Sequence, residues 1–131
     1  MVRGYVFSRE FMGERVPQHV QNLVLRDYCQ KQAIHYLLSA VEYAMPHCHL
    51  ILLQVLEELP KLDGIAFYSL FQLPEHKQNR ESVIRQVLDQ KKTLHFAVEG
   101  LQLKNETEYG RIETLWQVRQ TLPYCLNYYK T

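Results

Sequence analysis

The sequence predicts an α/β fold with an open, four-stranded, mostly parallel sheet covered by helices. Short apolar runs alternate with longer stretches whose apolar residues recur at helical spacing, an order typical of parallel sheets. The 131 residues suffice for one hydrophobic core and not for two, so we predict a single domain over residues 1–131. The 47% hydrophobic and 22% charged residues are ordinary for a globular protein and exclude a disordered or collagen-like chain.

The first half of the chain predicts two strands and two helices. Residues 4–7 form the first short apolar run, which predicts a strand. Pro17 fits the first turn of a helix that extends to about residue 31. Residues 34–38 predict the second strand and residues 47–59 the second helix. The residues expected to face the sheet are Val20, Leu23, Val24 and Tyr28 in the first helix and Leu50, Leu53 and Leu56 in the second.

The second half of the chain continues the alternation. Residues 65–68 are a continuous apolar run, typical of a strand buried on both faces. A third helix over 75–90 and a fourth strand over 94–98 follow. After the polar segment 102–106, a fourth helix runs through Gln120, where Pro123 is expected to stop it. The inner stripe of the third helix is Val83, Ile84, Val87 and Leu88. The fourth helix is predicted because Ile112, Leu115, Trp116 and Arg119 fall at helical spacing.

Charge and cysteine content exclude several classes of protein. Lys and Arg number 15 against 14 Asp and Glu, so the net charge of +1 lacks the basic excess of a nucleic-acid-binding protein. No apolar run reaches the roughly 18 residues that cross a bilayer. Cys29, Cys48 and Cys125 show no CxxC spacing, which is typical of reduced thiols. We therefore expect a cytoplasmic protein that binds neither nucleic acid nor a membrane.

Polar side chains follow the predicted strands. In an open parallel sheet, ligands bind beyond the carboxyl ends of the strands, so these loops are the expected site. The candidate residues are Ser8, Arg9, Glu10, Arg15 and Gln18 after the first strand, Glu42 and Tyr43 after the second, and Gln72 after the third.

Two arginines near a helix N-terminus predict a site for an anion. Arg9 and Arg15 would bind a phosphate or carboxylate together with the unpaired N–H groups of the first helical turn. The alternative is that both arginines are solvated or paired with Glu10 and Glu14. Gly13 stands alone, so the sequence has no Gly-rich phosphate loop of the Walker or dinucleotide-binding type.

Three of these residues carry groups that can perform catalysis. Ser8 is the candidate nucleophile, and Glu42 or Tyr43 the candidate for proton transfer. Each is equally consistent with a role as a loop cap or rim residue. Glu10 and Gln72 are expected to recognise hydroxyl groups.

The segment His47-Cys48-His49 contains three residues of types that ligate zinc. Residues two apart on a helix do not face the same way, and no second ligand pair has suitable spacing. We therefore predict no metal and no other cofactor.

Five segments, spread over nearly the whole chain, carry a resemblance to a known family. They are GYVFSREF at 4–11, RVPQHVQN at 15–22, SAVEYAM at 39–45, YSLFQLP at 68–74 and QTLP at 120–123. They resemble the sporadic carbohydrate cluster proteins, small proteins encoded among genes for surface-carbohydrate biosynthesis. The resemblance implies a cytoplasmic role in making or modifying a sugar. Together with the two arginines, it predicts an anionic sugar ligand, such as a sugar phosphate or nucleotide sugar.

The order of strands and helices is also similar to the catalytic domain of serine recombinases and resolvases. Where that family has the pattern Tyr-x-Arg-x-Ser, this chain has Phe7 in place of the arginine and Arg9 in place of the nucleophilic serine, with Ser8 one position early. The family's paired arginines after the third strand are replaced by FQLPE at 71–75. The resemblance therefore implies the fold without phosphodiester cleavage, which needs that serine within a cluster of positive charge.

A second function remains open beside ligand binding. The chain could be a non-catalytic, oligomeric interaction module derived from the recombinase-like fold. Its contact surface would be the helix that carries Trp116, together with the tyrosine-rich end at Tyr124, Tyr128 and Tyr129. The alternative for Trp116 is that it covers the sheet as part of the core.

Overall fold

Strands and helices alternate along the chain in the computed structural model, which describes residues 1–130 and the side chains of residues 1–121. Three short 3-10 turns, at Leu59–Lys61, Leu70–Gln72 and Glu106–Glu108, lie between the longer elements. The strands are β1 (Val2–Val6), β2 (Tyr36–Val41), β3 (Gly64–Phe67), β4 (Thr93–Phe96) and β5 (Leu101–Leu103), and the helices are α1 (Gln18–Lys31), α2 (Leu50–Glu57), α3 (Lys77–Asp89) and α4 (Tyr109–Lys130).

The sheet has the strand order β2-β1-β3-β4-β5. The first four strands pair in parallel, which confirms the predicted mostly parallel α/β sheet. β5 is a fifth strand that the sequence did not predict, and it pairs antiparallel with β4, Leu103 lying opposite Leu94. Three residues are too few for a period-of-two pattern to be recognised, so only the pairing with β4 identifies this strand.

The central strand β3 is buried along its whole length, as its apolar run predicts. Its first residue is Gly64, and a Cβ atom there would lie 2.0 Å from the carbonyl oxygen of Thr93. Only glycine permits this close approach of β4. The other strands begin one or two residues from the predicted starts at 4, 34 and 94, because inter-strand hydrogen bonds set the ends of strands.

The helices cover both faces of the sheet. Val2, Val6 and Ala66 pack on one face with residues of α1, including Leu25 and Cys29. On the other face, strand residues such as Tyr5 and Phe67 pack against α2, α3 and α4 through a larger cluster. The helical residues of that cluster are Leu52, Val55, Leu56, Val83, Ile84, Val87, Ile112 and Trp116. The result is the three-layer arrangement expected for this fold class.

The inward faces of α1 and α2 differ from the prediction. Leu50 and Leu53, expected to face the sheet, are 54% and 51% exposed, while Leu52 and Val55 take the buried positions. α2 begins at Leu50 rather than at residue 47. The orientation of the helix after its loop decides which of its faces packs against the sheet. In α1, Leu23 is exposed, and the buried residues are Gln21, Leu25, Tyr28 and Cys29.

α4 is longer than predicted. It continues past Gln120 and Pro123 to Lys130, so the expected stop at the proline was wrong. Although α4 has 22 residues, no helix in the described part of the chain is long and apolar enough to cross a membrane. The side chains of Cys125 and of the predicted contact residues Tyr124, Tyr128 and Tyr129 lie outside those the structure describes.

Trp116 is fully buried, which confirms the alternative that it covers the sheet as part of the core. Its ring packs edge-on against Phe71, with a centroid distance of 5.3 Å. The guanidinium carbon of Arg80 lies 4.3 Å from the Trp116 ring centroid, in cation–π geometry. The side chain therefore belongs to the core between α4 and α3.

A buried ion pair joins α3 to α4. Arg80 Nε and Nη2 donate to the two carboxylate oxygens of Glu113 at 2.8 and 2.9 Å. Arg80 Nη1 also donates to the carbonyl oxygens of Pro74 and Glu75, at 3.1 and 3.0 Å. Both charged residues are buried, so this bidentate geometry compensates for the water they lose.

Arg80→Met should lower the free energy of unfolding by about 3–5 kcal/mol, because it leaves the Glu113 carboxylate buried without its partner. Urea denaturation followed by circular dichroism measures the change. Arg85→Met is the matched control on the same helix. Arg85 pairs with Glu106 in an exposed position, so its loss should cost less than about 1 kcal/mol.

The double variant Arg80→Met/Glu113→Leu should recover much of the loss, since it removes both buried charges together. Equal destabilisation by Arg80→Met and Arg85→Met would show that the buried ion pair stabilises the fold no more than the exposed one.

Candidate functional site

The loops that follow β1 and β2 meet around the carboxylate of Glu42, which is only 1% exposed. Its Oε1 accepts the Tyr5 hydroxyl at 2.7 Å and the Leu52 N–H at 3.2 Å. Its Oε2 accepts the N–H groups of Tyr43 and Ile51, both at 3.1 Å. Glu42 thereby joins the end of β2 to β1 and caps the N-terminus of α2, where no residue within the helix could accept these bonds.

The hydrogen bonds keep Glu42 ionised. Burial alone would raise the pKa of this carboxyl, but the Tyr5 hydroxyl and the N–H groups of Ile51, Leu52 and Tyr43 lower it below its usual value. The Glu42 carboxylate therefore accepts hydrogen bonds both from backbone N–H groups around the start of α2 and from the Tyr5 hydroxyl. Glu42 lies where the sequence analysis expected it, at the strand end, but turned inward.

Tyr5 and His49 extend this cluster, and sequence analysis assigned neither to the site. Burial, together with the neighbouring Glu42 carboxylate, raises the pKa of Tyr5, so its hydroxyl stays protonated. The Tyr5 oxygen lies 3.4 Å from His49 Nδ1. In the sequence, Tyr5 is indistinguishable from the other apolar residues of its strand, so nothing there indicates a role in the site. His49 was considered only as a metal ligand.

Arg9 and Ser8 make hydrogen bonds to backbone carbonyls. Arg9 Nη1 donates to the carbonyl oxygens of Tyr43 at 3.0 Å and Cys48 at 2.8 Å, and its guanidinium carbon lies 4.1 Å from the ring centroid of Phe7. Ser8 Oγ donates to the carbonyl oxygen of Glu42 at 2.9 Å. The two side chains fasten the loop after β1 to the segment between β2 and α2.

Two buried glutamines join the loops after β1 and β3. Gln21 on α1 pairs with the backbone of Phe7, accepting its N–H at 3.0 Å and donating to its carbonyl at 2.9 Å. Gln72 Nε2 donates to Gln21 Oε1 at 2.8 Å, and Gln72 Oε1 accepts the Ser69 N–H at 3.3 Å. Gln72 is fully buried, so it does not line an open crevice as expected.

Glu99, in the loop after β4, binds the loop after β3. Its carboxylate accepts the Ser69 hydroxyl at 2.8 Å and the Leu70 N–H at 2.9 Å. The loop after β3 is therefore held on both sides by polar side chains from other loops.

An open cavity of about 390 Å³ lies at the start of α1. Pro17 is the N-cap of α1 and supplies no side-chain cap, and the first turn has no acidic residue. Arg15 is exposed beside it, so the positive end of the helix and a guanidinium face the same space. The cavity is lined by Ser8, Arg15, Val16, Pro17 and Gln18.

The structure divides the predicted site residues into separate groups. Ser8, Arg15 and Gln18 share the cavity at α1, while Glu10 and Tyr43 are exposed. Glu42 and Gln72 are buried, and their polar atoms bind backbone N–H groups and the side chains of Tyr5 and Gln21. The single crevice lined by all of these residues is therefore not formed. The roles in catalysis and ligand binding stay predictions.

Two solved structures share this fold. The N-terminal catalytic domain of TP901-1 integrase matches with a TM-score of 0.61 and 12% identity, over 95% of this chain and 98% of that one. A resolvase family site-specific recombinase from Streptococcus pneumoniae matches with a TM-score of 0.64 and 8% identity, over the whole of both chains. At such low identity the likeness shows the fold alone, and it confirms the predicted resolvase-like architecture.

No protein-family model matches the chain, and no curated protein matches it. The resemblance to the sporadic carbohydrate cluster proteins therefore stays a prediction.

Glu42→Gln should lower the free energy of unfolding at neutral pH by about 2 kcal/mol, because a buried amide cannot accept all the bonds that the carboxylate accepts. The folded-state pKa of Glu42 is lowered, so its contribution is present above the ordinary carboxyl pKa of 4.5 and is lost as the pH falls through the lower folded value. The difference in unfolding free energy between the wild type and Glu42→Gln should therefore become smaller in acid.

Urea denaturation between neutral pH and the acid limit of folding measures this difference. Glu57→Gln, at an exposed position in α2, the helix that Glu42 caps, is the control and should change stability little at any pH. A Glu42→Gln penalty that does not depend on pH would contradict an ionised carboxylate at this position.

Proposed function

We propose that the chain binds an anionic sugar derivative, such as a sugar phosphate or nucleotide sugar, in the open cavity at the start of α1, as part of surface-carbohydrate biosynthesis. The observation that carries the anionic part is the uncapped N-terminus of α1 beside the exposed Arg15. The sugar and the pathway follow from the sequence resemblance alone.

The backbone of α1 supports an anion in this position. The first N–H groups bonded within the helix are those of Val20 and Gln21, both to the carbonyl of Pro17 at 3.1 Å. The N–H groups of Gln18 and His19 precede them and belong to the helical turn that normally lacks internal partners. An oxyanion in the cavity would accept from this turn and pair with Arg15.

The size and lining of the cavity favour a polar small molecule. Its volume of about 390 Å³ falls in the range of known small-ligand sites. The Gln18 amide and the Ser8 hydroxyl offer hydrogen bonds to sugar hydroxyls, and Val16 and Pro17 offer an apolar surface to a sugar ring.

The same lining favours binding over catalysis. The five lining residues include a hydroxyl, a guanidinium and an amide, but no carboxylate or imidazole that could act as a general base. The hydroxyl hydrogen of Ser8 is directed to the Glu42 carbonyl. Arg15 is the arginine that lines this cavity, whereas Arg9 Nη1 is bonded to two backbone carbonyls.

Glucose 1-phosphate and UDP-glucose should raise the melting temperature of the wild type, and glucose should do so much less. A ligand at one hundred times its Kd stabilises the folded state by about 2.7 kcal/mol, which a thermal-shift assay detects readily. Arg15→Gln should weaken binding by about ten-fold, since it removes a charge-assisted hydrogen bond.

Arg111→Gln, at an exposed arginine on α4, is the matched control and should bind as the wild type does. The proposal fails if neither anionic ligand stabilises the wild type, or if Arg15→Gln and Arg111→Gln respond alike.

The exposed edge of the sheet favours a second candidate function, the non-catalytic oligomeric module. β2 is an edge strand, and its Leu38 side chain is 75% exposed. Val41 on the same strand and Tyr43 and Met45 just beyond it are also exposed. An edge strand with exposed apolar side chains is suited to pairing with the β2 strand of a second copy.

Light scattering after size exclusion tests this candidate by the mass in solution. The wild type should be a dimer at about 100 μM, and Leu38→Lys should convert it to a monomer, since edge lysines oppose strand pairing. Leu23→Lys, at an exposed leucine on α1, should leave the dimer intact. A wild-type chain that is monomeric throughout would exclude pairing through β2.

A further inference from the structure

A second cavity lies between α2 and α3 and has about 270 Å³ of space. It is separate from the cavity at α1 and shares no lining residue with it. One side is apolar and the other polar. The apolar lining comes from Leu50, Leu52, Leu53, Pro74 and Val83, and the polar lining from His47, His49, Asn79, Ser82 and Gln86.

The polar wall on α3 is uncharged. Asn79, Ser82 and Gln86 follow one another at steps of three and four residues, so they lie along one face of the helix. Gln86 Nε2 donates to Ser82 Oγ at 3.3 Å. Two side-chain amides and a hydroxyl can each donate and accept, which is the combination that recognises hydroxyl groups.

The proton on the His49 ring is positioned by the Glu42 cluster. The Tyr5 hydroxyl donates its single hydrogen to the Glu42 carboxylate at 2.7 Å. The Tyr5 oxygen can therefore only accept from His49 Nδ1, which lies 3.4 Å away, and the proton of a neutral ring belongs on Nδ1. This arrangement leaves Nε2 of His49 as an acceptor.

The surroundings keep that imidazole neutral. Burial, and then the charge of Arg9, lower the pKa of His49 below its ordinary value, against the opposing effect of Glu42 and Glu75. A neutral ring with Nδ1 protonated accepts a hydroxyl hydrogen at Nε2.

The charge around the cavity disfavours an anion as the ligand. No lysine or arginine is among its lining residues. The carboxylate of Glu75 lies 3.2 Å from Nδ1 of the lining residue His47, so an anion would meet a negative charge on this side of the cavity. The exposed leucines Leu50 and Leu53, in contrast, offer an apolar surface that a charged group does not use.

We propose that this cavity binds an uncharged, hydroxyl-bearing ligand with an apolar face, of which a sugar ring is the representative class. One ligand hydroxyl donates to His49 Nε2, and others bond to the amides of Asn79 and Gln86 and the hydroxyl of Ser82. The C–H face of the ligand packs on Leu50 and Leu53. This site goes beyond the anion site at α1 and does not depend on it.

Side-chain NMR of the histidines tests the site directly. The probes are methyl β-D-glucopyranoside, methyl β-D-galactopyranoside and myo-inositol, each titrated to about 20 mM, which detects Kd values in the millimolar range. At least one probe should shift the His49 imidazole signals with saturation. Glucose 1-phosphate serves as the anionic comparison.

Asn79→Leu and Ser82→Leu should each weaken this binding by about ten-fold, because they remove hydrogen bonds from the polar wall. Both positions are exposed, so the variants should fold. Gln78→Leu, an exposed neighbour outside the cavity, is the matched control and should leave binding unchanged.

Two results would overturn the site: no uncharged probe shifting His49, or equal binding by the wild type and the variants of the polar wall. The Arg15→Gln variant separates this proposal from the one on α1. It should retain the His49 response to the methyl glycosides even if its response to glucose 1-phosphate is lost. A His49 response to the anion alone would also contradict an uncharged ligand.

Discussion

The carboxyl ends of the parallel strands impose the constraint on which the rest of this structure depends. Where the chain leaves the sheet, its backbone N–H and C=O groups lose their partners on the neighbouring strand. The helices that cover the sheet exclude water there, so each group needs another hydrogen-bond partner. Long polar side chains supply these partners. Glu42 accepts the first N–H groups of α2, Gln21 pairs with Phe7, and Glu99 accepts from the loop after β3. A change at any of these positions would leave buried backbone groups unpaired.

This constraint explains why the strand-end residues do not assemble one open pocket. A carboxylate or amide that satisfies buried backbone groups is no longer free to bind a ligand. Glu42 accepts the Leu52 N–H, and Gln72 accepts the Ser69 N–H. Ligands can bind only where polar groups are accessible to solvent. The cavity at α1 offers a helix N-terminus and Arg15, whereas the cavity between α2 and α3 offers amides and the imidazole of His49. The two differ in charge and therefore suit different ligands.

The likeness to recombinase catalytic domains fits this view of the fold. Layer order and sheet topology depend on apolar packing and strand pairing, which survive at 8–12% identity. Where the recombinase pattern has an arginine, Phe7 lies in an aromatic cluster, its ring 5.6 Å from Tyr5 and 5.7 Å from Phe11. In this chain, the fold therefore has an apolar packing contact at Phe7. Arg9, two residues further along the chain, joins two loops through its hydrogen bonds to the carbonyl oxygens of Tyr43 and Cys48.

The sequence by itself determined the order of strands and helices, the burial of β3 and the inner face of α3, because each of these is set by a local periodicity of apolar residues. It also located most of the polar residues of the rim, since they follow the strands. Only the tertiary structure decided which of them turn inward, that Leu50 and Leu53 face outward, and that β5 joins the sheet. The reason is that these features depend on partners far away in the chain, as when Tyr5 donates to Glu42 across 37 residues, and local spacing carries no record of such partners.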